Sequence, residues 1–212
     1  MHRLFLFSAL CGASVAAAHG VGAAECRGPL GLPLPGPERP ARAGEVHYAP
    51  DHGLGCAVAA DQGAAMTERK SPVTFLPCLH VGAVAIGDRR RQVETLLGAP
   101  AMAQEMDLLT DLVVYEVPQR TALLPRSMVT YREEQVVAVH LVGPPMDIPA
   151  TFAGLVLGDG EQRVVDALGW PAQRCRLLPN GPETWTWPPF PIAIDMLDGV
   201  VAGVKMTWVT KK

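Results

Sequence analysis

Beyond its first 24 residues the chain contains only two serines, Ser71 and Ser127, and neither stands in the glycine-flanked setting of a nucleophile elbow. A glycine loop able to cradle phosphate and a zinc-binding helix motif are also missing. These absences argue against hydrolase, nucleotide-dependent and zinc-protease chemistry, so no catalytic residue and no cofactor is assigned. Long basic runs are absent too: the formal net charge is −3, and Arg89-Arg90-Arg91 is the only local cluster. Nonspecific affinity for nucleic acid is dominated by lysine and arginine neutralising phosphates, so nucleic acid is not an expected partner. The triplet reads as the solvated face of a helix's first turn.

The N-terminus has a different character. Met1-His2-Arg3 leads into Leu4 to Leu10 and then an alanine-rich run ending at Ala18, the charged, apolar and small-residue order of a secretory signal. Gly12 and Ser14 interrupt the apolar stretch, which is short beside the roughly 20 residues of a membrane span. Residues 1–24 are therefore expected to be removed, by cleavage after Ala18 or after Ala24, leaving no stable membrane span. Cys11 follows Leu10, where a lipoprotein signal needs a small residue. A soluble periplasmic or secreted protein is expected.

Four cysteines then remain, Cys26, Cys56, Cys78 and Cys175. An even number in an exported chain points to two disulfides, with three connectivities open and a lean toward Cys56 with Cys78. Around them, residues 25–80 read as a proline- and glycine-rich arm and an irregular segment, with Pro29 to Pro37 too proline-dense for helix or ladder pairing. Val73 to Leu76 reads as a short strand and 55–69 as a short helix. The alternative function rests in this region: His47, His52, Cys56 and His80 are donors suited to zinc or copper, although their spacing matches no familiar site.

The rest of the chain is dominated by an internal repeat. Ile86-Gly87-Asp88, Val93, Leu97-Gly98 and Pro100 recur as Leu157-Gly158-Asp159, Val164, Leu168-Gly169 and Pro171, each pair 71 positions apart (158 − 87 = 71). Asp88 and Asp159 are placed to cap helices, the valines and leucines recur at helical spacing, and glycine followed by proline ends each segment. Strand-like runs follow at 112–117, 127–131 and 135–141, and again at 184–187, 192–196 and 200–208. Val136 aligns with Val200, and Asp198-Gly199 forms a strong hairpin turn where the first copy has Glu134-Gln135. The expected fold is α+β: two tandem units at 81–145 and 150–210, each a capped helix packed on a short antiparallel meander.

A capped helix ending Leu-Gly-x-Pro, then an aromatic strand and a valine-rich hairpin, resembles the SmpA/OmlA family of outer-membrane assembly lipoproteins and the tandem β-lactamase inhibitory proteins. The resemblance implies an exported, non-enzymatic binding protein, in the second case with a concave sheet that grips a partner. The chain departs from the assembly lipoproteins in lacking their lipid-attachment cysteine, and no loop matches an inhibitory loop.

The aromatic residues bear on where a partner would sit. Trp185 and Trp187 alternate by two in one strand, Trp208 ends another, and Tyr131 extends the pattern from the first copy. Large aromatics anchor binding surfaces and equally fill a core beneath a helix. Both placements are open from sequence; the functional reading takes Trp185, Trp187, Trp208 and Tyr131 as a partner face. The expected function is a non-catalytic module that binds another envelope or secreted protein.

Overall fold

The computed structural model describes residues 25–27, 46–49, 53–56, 78–119, 123–145, 151–188 and 190–207. In chain order the elements are β1 (Glu25–Arg27), β2 (Val46–Ala49), β3 (Gly53–Cys56), β4 (His80–Val81), β5 (Val84–Ala85), α1 (Arg90–Leu97), β6 (Met102–Asp107), β7 (Thr110–Glu116), β8 (Arg126–Arg132) and β9 (Gln135–Val142), then α2 (Glu161–Leu168), β10 (Gln173–Arg176), β11 (Glu183–Thr186), β12 (Ile192–Leu197) and β13 (Val200–Thr207). Nine strands form one sheet in the order β1-β10-β11-β12-β13-β9-β8-β7-β6, while β2-β3 and β4-β5 are separate hairpins. The proline-rich stretch 28–45, the expected helix at 55–69 and the expected strand at 73–76 lie largely or wholly outside the described residues, as does the signal segment.

This architecture overturns the expected fold class. Among the described residues strand far outweighs helix, and the two helices have eight residues each. Two helix-on-meander units do not form, because the meanders are fused edge to edge where β9 pairs antiparallel with β13. The reason is visible on the packed side of that seam: Val139, Leu141, Val204 and Met206 are all buried in one common core. Splitting the sheet there would expose them to water, at roughly 1.5 to 3 kcal/mol for each such side chain. The helices contribute little to that core, with Val93 from α1 and Val164 and Leu168 from α2. Leu79, Val81, Val84 and Ile86, with Phe152, Leu155 and Leu157, do more of the covering.

Strands β4, β5, β6 and β10 were not anticipated, and pairing at β1, β2 and β3 falls in a segment expected to be irregular. Hairpin register also differs from the sequence alignment. Gly87 N donates to Val136 O and Gly158 N to Val201 O, both at 2.8 Å, so Val201 is the counterpart of Val136 (201 − 136 = 65). A one-residue slip matters because it exchanges the two faces of a strand. The turns that set the register are Glu133-Glu134 (φ 49° and 64°) and Asp198-Gly199 (φ 52° and 80°). Both therefore adopt the positive-φ pair of a type I′ turn, the first without any glycine.

Asp88 and Asp159 do not cap the helices either. Each lies one residue ahead of the cap positions, Arg89 and Gly160. Asp88 Oδ2 accepts from Ala85 N (2.8 Å) and Asp159 Oδ2 from Val156 N (2.7 Å), so each carboxylate closes the turn that delivers the chain into its helix. At the opposite ends, Gly98 (φ 83°, ψ −160°) and Gly169 (φ 74°, ψ 179°) occupy a region open essentially to glycine alone rather than the left-handed helical one.

Candidate functional site

The sheet has one packed face and one face that is only partly covered. On the second of these, Ala138, His140 and Val142 of β9 lie opposite Thr207, Lys205 and Gly203 of β13. Beyond β13, Asp195 of β12 stands opposite Gly203, at a point where the ladder shifts register between Asp195 and Met196. The imidazole of His140 reaches across β13, and its Nε2 lies 3.2 Å from Asp195 Oδ2. That reach depends on Gly203: a Cβ there would sit 3.1 Å from the imidazole nitrogen and 3.2 Å from the carboxylate. From the far side, Thr184 Oγ1 donates to Asp195 Oδ1 at 2.6 Å. Both carboxylate oxygens are thus engaged.

Burial pulls the Asp195 carboxyl upward. The hydrogen bonds from His140 and Thr184 and the charges of His140 and Lys205 outweigh it, so its pKa lies below the ordinary carboxylate value. The fixed anion forms part of the floor of a groove of about 850 Å³. Leu177, Leu178 and Pro182 of the β10–β11 connection and Pro188, Phe190 and Pro191 of the β11–β12 connection line it, together with Lys205 and Thr207. Leu177 and Leu178 are 67% and 64% exposed, which is costly for leucine in water and typical of a contact surface.

The expected partner face is corrected by its burial. Trp185 (1% exposed), Trp187 (4%) and Tyr131 (1%) belong to the core. Trp185 Nε1 donates to Glu183 Oε2 (2.8 Å), and the Arg174 guanidinium lies 4.7 Å from the indole centroid. Tyr131 is treated alike, with Arg90 4.6 Å above its ring and its hydroxyl 3.0 Å from that of Tyr115. Trp187 Nε1 donates to Gly169 O. These polar atoms are satisfied inside, so nothing draws the rings to the surface. Trp208 lies outside the described residues.

The metal reading fares differently residue by residue. Cys56 is bonded to Cys78 in a disulfide, which removes its thiol as a donor. His80 Nδ1 lies 3.1 Å from Gly82 O. His47 belongs to β2, and His52 lies outside the described residues. No group of three or more His, Cys, Asp or Glu is gathered for a metal among the described residues. Cys175 is also disulfide-bonded, and Cys26 stands directly opposite it in the β1–β10 ladder.

Sequence reasoning missed His140, Thr184, Asp195 and Lys205 as a group. The one available signal was Gly203, a glycine inside an otherwise valine-rich strand, which marks a bulge or close approach.

No family model matches the chain, and no curated protein matches it. Among solved structures, a cysteine-rich secretory protein from Staphylococcus aureus subsp. aureus Mu50 is similar at 10% identity with a TM-score of 0.40, over 58% of this chain and 44% of that one. The match thus spans less than half of that protein's length. Among the described residues, no helix is long and apolar enough to cross a membrane.

Proposed function

We propose that the chain is an exported, non-catalytic protein of the bacterial envelope that binds another envelope or secreted protein through the open face of its sheet. The observation that carries this reading is the groove: apolar walls, an exposed leucine pair, and a floor whose central carboxylate is already held on both oxygens. A group locked in this way is suited to orienting a ligand's polar atoms and poorly suited to moving a proton. The export half of the reading draws on the signal-like residues 1–24 and on the Cys56–Cys78 disulfide, a bond that persists in oxidising compartments.

A photo-crosslinking amino acid at Leu178, installed in the protein expressed in its native cells, tests the groove. A discrete protein adduct is expected there, absent when the same group replaces Thr95 on α1, and lost when Lys205→Glu is added. Equal labelling at Leu178 and Thr95 would end the proposal.

A further inference from the structure

Strand β10 has a further strand on its outer side, and its counterpart in the first half, β6, has none among the described residues. Outside β10, Arg174 and Arg176 pair with Arg27 and Glu25 of β1. The positions 71 earlier are Ala103 and Glu105 of β6 (174 − 103 = 71), and the correspondence is more than numerical: Ala172 N donates to Thr186 O as Ala101 N donates to Val114 O. On the outer side of β6 no strand lies among the described residues. All six of its residues are exposed.

The direction of the free backbone groups follows from the ladder. Val117 N donates to Pro125 O, so odd-numbered residues of β7 bond toward β8 and even-numbered ones toward β6. Val114 and Leu112 therefore bond their partners Met102 and Gln104. Ala103 and Glu105 turn their N–H and C=O groups outward, as a template for another strand.

The geometry points to a second copy of this chain as that strand, pairing β6 with β6 antiparallel about a twofold axis at Gln104. In this register Ala103 of each copy exchanges backbone bonds with Glu105 of the other across Gln104, and the regular pairing ends at the irregularity between Glu105 and Asp107 on one side and at Ala101, whose N–H is given to Val114 O, on the other. No acidic residue faces another, so the edge is self-complementary despite its charge. The same pairing would shield Met102 and Met106, which flank the paired segment and are 50% and 59% exposed. Twofold pairing of corresponding strands already occurs within the chain, since β9 and β13 run antiparallel with Ala138 opposite Thr207 and Val142 opposite Gly203.

Sedimentation analysis of the full chain from low micromolar to millimolar concentration is expected to show a reversible dimer. Ala103→Pro removes an outward N–H at an edge position that tolerates proline and is expected to weaken association by about tenfold or more. Gln104→Lys changes only an exposed side chain, places like charges on the axis, and is expected to do the same. Mixing Gln104→Lys with Gln104→Glu is expected to restore association as a heterodimer, a readout that misfolding cannot produce. A chain that stays monomeric throughout, or a dimer indifferent to both substitutions at Gln104, would overturn the assignment.

Discussion

His140 and Lys205 face each other across the β9–β13 seam, and the corresponding strands of the two halves run antiparallel on either side of that pair. A histidine and a lysine side by side on a partly buried face repel when both are charged. Asp195, one strand away, supplies the compensating anion. The arrangement makes acid behaviour predictable.

Because the folded Asp195 pKa is lowered, the fold favours its charged form. The stability this contributes is present above the unfolded carboxylate value of about 3.9 and is lost as pH falls through the folded value. Urea unfolding measured across the acid range should show wild type losing stability faster than Asp195→Asn, the two curves converging below about pH 4. Parallel curves would mean that Asp195 is not held as an ion.

Trp185→Ala should lower unfolding free energy by about 3 to 5 kcal/mol, since it empties a fully enclosed site and removes one of the donors to Glu183, whose carboxylate keeps Arg174. Trp187→Ala should fall in the same range. Thermal or chemical unfolding of either variant with an unchanged midpoint would return these rings to the surface.

Gly143 has φ 149°, and a Cβ added to it would lie 2.6 Å from the Cα of Pro125. Gly143→Ala therefore has to move backbone and should destabilise by about 1 to 3 kcal/mol, whereas Gly160→Ala meets nothing within 4 Å. Similar unfolding midpoints for the two variants would contradict this contact.

At the first hairpin, two glutamates hold backbone angles that asparagine and glycine adopt readily. Replacing Glu133-Glu134 with Asn-Gly should stabilise the protein by about 1 kcal/mol, even with loss of the Arg90–Glu134 ion pair (3.2 Å), whose glutamate end is exposed. A decrease in stability would show that the ion pair outweighs the backbone strain.

Reduction of the Cys56–Cys78 bond, which closes a loop of 22 positions, should cost on the order of 3 kcal/mol. Comparing intact mass with and without alkylation under native conditions should find no free thiol at Cys56, Cys78 or Cys175. Alkylation of any of the three would refute the pairing.

Local chemistry was legible in the sequence and long-range assembly was not. The segments that became α1, α2, β7, β8, β9, β11, β12 and β13 all announced themselves through apolar spacing and β-branched runs. Asp88 and Asp159 were recognised as structural acids but given the wrong amides, because a turn and a helix cap compete for the same short side chain. The fusion of β9 to β13 left no local trace: a valine-rich strand reads alike whether it ends a unit or joins two. The groove depends on contacts such as His140 with Asp195, 55 positions apart, which only the register of three strands brings together. Tryptophan placement failed for a related reason. Alternation revealed which residues share a face, and only the sheet's packing revealed which face is inside.

The pairing of Glu25–Arg27 with Arg174–Arg176 also constrains when the molecule can finish folding. A strand near the start of the chain closes the sheet only after nearly the whole of the remaining sequence has been synthesised. Until β10 emerges, the ladder that β1 completes does not exist, and the outer border of the second half has no lining. A chain whose first strand waits for residue 176 keeps that strand without its ladder through most of its synthesis.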